Sequence, residues 1–175
     1  MASDIERVSV AGFWWRQTPH AADPLSLASP PSSGRWQRGA RVGATYLADE
    51  EATVWAEWYR MLAEIALPPT HAMPRDLWRW AVDVVDIANL STPARLAQLG
   101  LQTPRPGRQT WPPFQTAGEE LYRQEFRGIL YPSAARPDSR ALCLFRDEIV
   151  IPGAEPVRPS TTYRDPPAPP SGLRT

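Results

Sequence analysis

Residues 77–85 alternate strictly, with Trp78, Trp80, Val82 and Val84 on one side and Arg79, Ala81 and Asp83 on the other. A period of two that places two tryptophans on one face reads as a strand, half-buried in a sheet. Four more runs suit the same sheet. Residues 8–18 carry Phe13, Trp14 and Trp15 into Arg16, and residues 44–48 form a short β-prone run. Residues 128–131 and 141–145 read as a hairpin or as neighbouring strands. Helices are fewer. Asp49 is expected to cap one, with Glu50 and Glu51 in its first turn and Pro68-Pro69 as its stop. Along it Ala52, Ala56, Tyr59, Ala63 and Ala66 form one stripe and Val54, Trp58, Met61 and Ile65 another, so burial on two sides is expected. Ser91-Thr92-Pro93 opens a second helix that Gly100 closes. After a proline-broken loop over 101–113, a third helix spans 114–127. Strands outnumber helices without alternating regularly with them, which predicts an α+β fold: a twisted mixed or antiparallel sheet with helices packed on it.

Composition narrows the function. The 175 residues suit one globule with a real core, and a formal net charge of zero gives no basic field for nucleic acid or an anionic membrane. All 19 basic residues are arginines, so no lysine is available for a P-loop or a Schiff base. One cysteine, Cys143, allows no internal disulfide and fits a reducing compartment. Residues 1–10 lack the apolar core of a signal peptide and no run reaches membrane-spanning length, so the cytoplasm is the expected location. Beyond Asp147 seven prolines fall between residues 151 and 175. That shift divides the chain into a globule, 1–148, and a proline-rich tail, 149–175, disordered or draped over the surface.

The catalytic inventory is short. His20 and His71 sit in proline-flanked loops, and with one cysteine they make no ordinary zinc site. No Gly-x-Ser-x-Gly elbow and no Gly-x-Gly-x-x-Gly cradle occurs. Cys143, inside the apolar run 142–145, reads as a buried thiol. What remains is the arginine fork for phosphate, aromatic faces for a flat heterocycle, and glutamate as a fixed negative charge. Together they suit a nucleotide.

An ordered set of short motifs makes this more specific: Trp15-Arg16, Gly34-Arg35-Trp36, Thr45-Tyr46-Leu47-Ala48 with Ala56-Glu57, Gly128-Ile129-Leu130-Tyr131-Pro132-Ser133-Ala134, and Leu142-Cys143-Leu144-Phe145. Over residues 13–147 this set resembles the RES domain, a family named for its arginine, glutamate and serine. The resemblance implies a fold related to ADP-ribosyltransferases, NAD as substrate with no metal, and the role of toxin in a bacterial toxin-antitoxin pair. It also implies an antitoxin partner with an Xre-type DNA-binding domain, and a homodimer. By position, Arg16 and Arg35 match the family's arginines, Tyr46 its tyrosine, Glu57 its glutamate and Ser133 its serine. Catalysis then falls to Glu57 with Arg16, Tyr46 and Ser133, and NAD binding to Arg16, Arg35, Trp36, Tyr46 and Ser133. Two departures stand out. Gln17 follows the first arginine where the family usually has an apolar or aromatic residue, and Pro30-Pro31-Ser32-Ser33 replaces a glycine-rich approach to Gly34.

Taken singly, these residues also fit plainer roles. Glu57 lies at the edge of the second stripe with Arg60 and Glu64, facing water or the rim of a cleft. Arg16 suits an ion pair at a strand end, Arg35 a structural turn beside Trp36, Tyr46 a core position and Ser133 a turn. The chemistry asks for one carboxylate. Breaking the nicotinamide–ribose bond builds positive charge on the ribose, and at ~4 Å with an effective dielectric near ~20 an opposite charge is worth about 4 kcal/mol, roughly three decades in rate. Three readings follow from the sequence: a glycohydrolase or phosphorylase of NAD, a protein ADP-ribosyltransferase using the same site, and a silent module that binds a nucleotide or a protein.

Overall fold

Six strands form one mixed sheet in the order β1-β2-β5-β4-β3-β6. This is a computed structural model that describes residues 5–174. Two long strands organise it: β1 (Arg7–Pro19) runs antiparallel along the whole of β3 (Arg75–Asn89), from Arg7 opposite Ala88 to Pro19 opposite Arg75. The other edge of β3 is shared. Its first half pairs antiparallel with β6 (Ala154–Tyr163), and its last three residues pair parallel with β4 (Gly128–Pro132). Between the two partners Asp86 sits in the left-handed region at φ 58°, a conformation aspartate tolerates better than most residues. β5 (Arg140–Arg146) joins β4 to β2 (Gly43–Ala48), and β2 touches β1 through the single pair Trp15–Ala48. The sheet therefore folds back on itself.

Its inner side is the tryptophan face seen in the sequence: Trp78, Trp80, Val82 and Val84 are all buried, with Trp14, Leu142 and Leu144. The other side of β4 and β5 is covered by α2 (Pro93–Ala97) and α3 (Trp111–Arg123), which enclose Trp36, Leu96, Phe114 and Ile129. A third cluster sets α1 (Glu51–Glu64) on Ala48 and Leu77 through Val54, Trp55, Trp58 and Leu62. The α+β architecture, strands β1 to β5, the β4–β5 pairing and the start of α2 at Thr92, whose hydroxyl accepts from the Arg95 amide, match the sequence expectation.

Four expectations need correction. Asp49 does not cap α1: Glu50 holds that position without a capping bond, because Asp49 accepts instead from the Arg140 amide at 2.9 Å on β5. α1 also stops at Glu64 rather than at the prolines, because Ala66 turns into the left-handed region at φ 51°; this leaves Ala63, Ile65 and Ala66 exposed while Trp55 and Leu62 carry the burial. α3 begins at Trp111, with Pro112 and Pro113 in its first turn, where their missing N–H groups cost nothing. Finally, the tail is not separate. Residues 154–163 are strand β6, on the far side of the expected boundary at 148, and as an edge strand it tolerates Pro156 and Pro159. Only the residues after it drape over α1, beginning where Tyr163 packs on Trp55 with ring centres 4.9 Å apart.

Candidate active site

A cleft of about 570 Å³ opens where the end of β1, the loop after it, and one side of α1 meet Arg35, Tyr46 and Tyr131. Glu57 stands in its wall, held on both oxygens. Oε1 accepts from the Ser133 hydroxyl at 2.6 Å and from the Ala135 amide at 3.4 Å; Oε2 accepts from Arg60 Nε at 3.1 Å. Ser133 is fully buried and its oxygen also accepts from the Ala135 and Arg136 amides, so its one proton is committed to Glu57. The Glu57 side chain remains 31% exposed and lines the cleft. Arg60 is buried and pairs with Glu64 as well, and Glu64 also meets Arg108 Nε at 3.8 Å, so two guanidinium groups face the two carboxylates.

The cleft around Glu57 is rich in arginine. Arg16 is half-buried and donates only one long bond, 3.5 Å, to the Pro24 carbonyl. Burial, and after it the nearby Arg146 guanidinium, bring its pKa down from 12.5 to about 10. It stays charged at neutral pH with most of its donors unused. Arg35 is buried and donates to the Arg105 carbonyl at 2.8 Å and the Thr110 hydroxyl at 3.2 Å. Burial lowers its pKa, while Tyr131 and Glu57 act in the other direction. Gln17 gains a reason here: its Oε1 accepts from Arg75 Nε at 2.6 Å, and both residues line the cleft. The polar residue that departs from the family pattern thus holds a third arginine at the rim.

The turn before β2 is built under the cleft floor. Gln37, completely buried, accepts from the Gly34 amide at 2.6 Å and from the Tyr46 hydroxyl at 3.0 Å, and donates to the Ser32 and Val42 carbonyls. The same Tyr46 hydroxyl accepts from the Trp36 amide at 3.0 Å. Any side chain at 34 would collide with it, because an added Cβ would lie 2.3 Å from that oxygen. The serines that replace glycines before this turn are bonded into it, Ser33 accepting from the Gly39 amide at 3.0 Å. Tyr46 therefore offers the cleft its ring, while its hydroxyl is spent and burial pushes its pKa well above the usual value.

Arg16, Arg35, Tyr46 and Glu57 thus line one cleft, with Ser133 directly behind Glu57. Two expected binders do not reach it. Trp36 lies in the core, fully buried, edge-on to Phe114 and Tyr131 at 5.2 Å. Ser133 has no exposed surface, so any contribution it makes passes through Glu57. Four participants were missed. Arg60 had a signal, its i+3 spacing from Glu57, and Tyr131 had one, its place near the end of β4, two residues before Ser133. Arg75 and Gln37 had none, since the first depends on the β1–β3 pairing and the second on the shape of a turn. Among the described residues no cluster of His, Cys, Asp and Glu suits a metal ion, and no helix is long and apolar enough to cross a membrane.

Comparison with known proteins fits this geometry. The RES domain family model matches residues 13–165, the greater part of the chain and nearly all of the sheet. No curated protein sequence matches. Among solved structures, a chain of the M. tuberculosis MbcT-MbcA toxin-antitoxin complex superposes with a TM-score of 0.74 at 21% identity, covering 90% of this chain and 87% of that one.

Proposed function

The chain belongs to the RES domain family, and from that premise we propose that it consumes NAD by cleaving the bond between nicotinamide and ribose, as the toxin of a toxin-antitoxin pair. The observation that carries the chemistry is Glu57: a carboxylate fixed by Ser133 and Arg60, yet open to a cleft lined by Arg16, Arg35 and Arg75. The arginines suit the pyrophosphate, and Arg16 with its unused donors is the first candidate to grip it. Nicotinamide and ribose would lie against the Tyr46 and Tyr131 rings near Glu57. As the C1′–N1 bond breaks, its electron pair passes to the ring nitrogen and nicotinamide leaves neutral. Positive charge gathers on C1′ and its ring oxygen. Glu57 stabilises that charge more than it stabilises the ground state, and because three hydrogen bonds already orient it, little reorganisation is needed. Water or phosphate then forms the new bond at C1′ and gives up a proton to solvent.

Incubating the pure protein with NAD, with and without phosphate, should release nicotinamide. Glu57→Gln, which keeps the shape and removes the charge, should slow release about a thousandfold. No release by the wild type, or full release by the variant, would sink this reading. Radiolabel transferred from NAD to protein would favour an ADP-ribosyltransferase using the same cleft, and tight NAD binding without turnover a silent module. An antitoxin is the proposed partner, supported by the family and by the toxin-antitoxin neighbour. An Xre-type domain in that antitoxin, a homodimer, and action in the cytoplasm, where NAD is plentiful, complete the proposal.

A further inference from the structure

The residues after β6 do not end loosely. They cross α1 and finish on the loop that holds Glu57. Tyr59, two residues beyond Glu57, donates its hydroxyl to the Pro167 carbonyl at 2.5 Å. Farther on, the Ser171 carbonyl accepts from Arg136 Nε at 3.1 Å, and the Arg174 amide donates to the Ala135 carbonyl at 2.7 Å. Ala135 and Arg136 are the residues whose amides meet Ser133 Oγ, and the Ala135 amide also points at Glu57 Oε1. A continuous path of hydrogen bonds therefore runs from the last described residues to the carboxylate. Arg136 ties the same loop to the first turn of α1 through Thr53 at 3.1 Å and an ion pair with Glu50. Ala134 and Ala135 are completely buried between these elements. Four prolines, Pro166, Pro167, Pro169 and Pro170, stiffen the crossing and reduce the entropy lost in ordering it.

We propose that residues 164–174 form a strap that positions Glu57, bracing the Ser133–Arg136 loop and α1 against each other from outside the cleft. The strap lies almost wholly beyond the span matched by the family model, which ends at residue 165. None of its contacts touches the cleft, so Tyr59, Ser171 and Arg174 are positioning residues. The proposal rests on Glu57 being the catalytic carboxylate. Its effect belongs on kcat, because the pyrophosphate arginines are held by other elements.

The test uses the full chain. Arg174→Pro removes the backbone N–H, and Tyr59→Phe removes the other anchor while keeping the ring; Arg174→Ala keeps the N–H and serves as control. In the double variant Tyr59→Phe/Arg174→Pro, kcat for nicotinamide release should fall at least about tenfold with KM for NAD within about twofold of wild type, as expected for a displaced catalytic group. Arg174→Ala should match the wild type. Hydrogen exchange of the 133–136 amides should speed up in the double variant, a readout that does not depend on turnover. Unchanged exchange at 133–136, or unchanged kcat in an active enzyme, overturns the strap. Faster exchange in the double variant, together with no nicotinamide release by the wild type, supports the brace and defeats the assignment of the reaction instead.

Discussion

Ser133 and Glu57 are 76 positions apart and 2.6 Å from each other. Ser133→Ala would leave the carboxylate with Arg60 and a long bond from Ala135, so its angle to the ribose would drift; kcat should fall about ten- to a hundredfold with KM little changed, read in steady-state kinetics. Arg16 yields a second prediction, from its pKa of about 10. Loss of the proton removes the charge proposed to grip the pyrophosphate, so KM for NAD should rise as pH climbs through 10. In Arg16→Lys the same burial and the same Arg146 field act on an ammonium that ordinarily titrates near ~10.4. That variant should lose affinity at a distinctly lower pH than the wild type, and coincident profiles would argue against Arg16 as the anchor. At this scale the sequence was legible only through motif order. Arg16, Arg35, Tyr46 and Glu57 do share a cleft, but no periodicity could announce that the end of β1, a turn, β2 and α1 would meet there. Trp36 was misread for a physical reason: a Gly-Arg-Trp turn suggests an exposed ring, whereas Gln37 folds this turn inward and sends the ring into the core.

Secondary structure was easier to read than its ends. β1, β2, β3, β4 and β5 follow from alternation and β-prone runs, since side-chain period survives any later packing. The cap of α1 failed because Asp49 had a better offer from β5, and β6 was missed because prolines disguise an edge strand. One residue, Asp76, now explains how several of these ends are held. Its buried carboxylate accepts from Ala21 at 2.8 Å, His20 at 3.0 Å and Thr162 at 2.7 Å, joining the loop after β1, the start of β3 and the end of β6. Burial by itself would raise its pKa, but these donors outweigh burial and hold it below the ordinary value. A carboxyl depressed in the folded state contributes stability above its unfolded pKa of about 3.9 and loses it as pH falls through the folded one. Asp76→Ala should therefore cost about 3 kcal/mol at neutral pH in denaturant unfolding, and the deficit should shrink in acid. A constant deficit from neutral to strongly acid pH would contradict the ionised, triply bonded carboxylate.

On the scale of the whole molecule, β3 is the member every other part depends on: β1 covers one edge, and β6 and β4 divide the other. The α+β class was legible because strands so outnumber helices, but the closing contacts were not, since they join residues as far apart as Arg7 and Ala88. A chain ending at residue 148 would keep all the family motifs and lose β6. It would expose the edge of β3 beside Trp78 and Trp80, and is expected to aggregate or lose near-ultraviolet circular dichroism, while the full chain stays folded and monodisperse. A soluble, folded 1–148 chain would show that β6 is dispensable.

The position of β6 also has a consequence in time. Strand β6 and residues 164–174 are synthesised after every other described element, so until they clear the ribosome β3 has an open edge and the Glu57 loop lacks their contacts. The nascent protein is then a sheet waiting for its sixth strand. Under the proposed function, nicotinamide release would begin only once β6 and the strap have docked, which would give an antitoxin already present the interval of their synthesis in which to find its target.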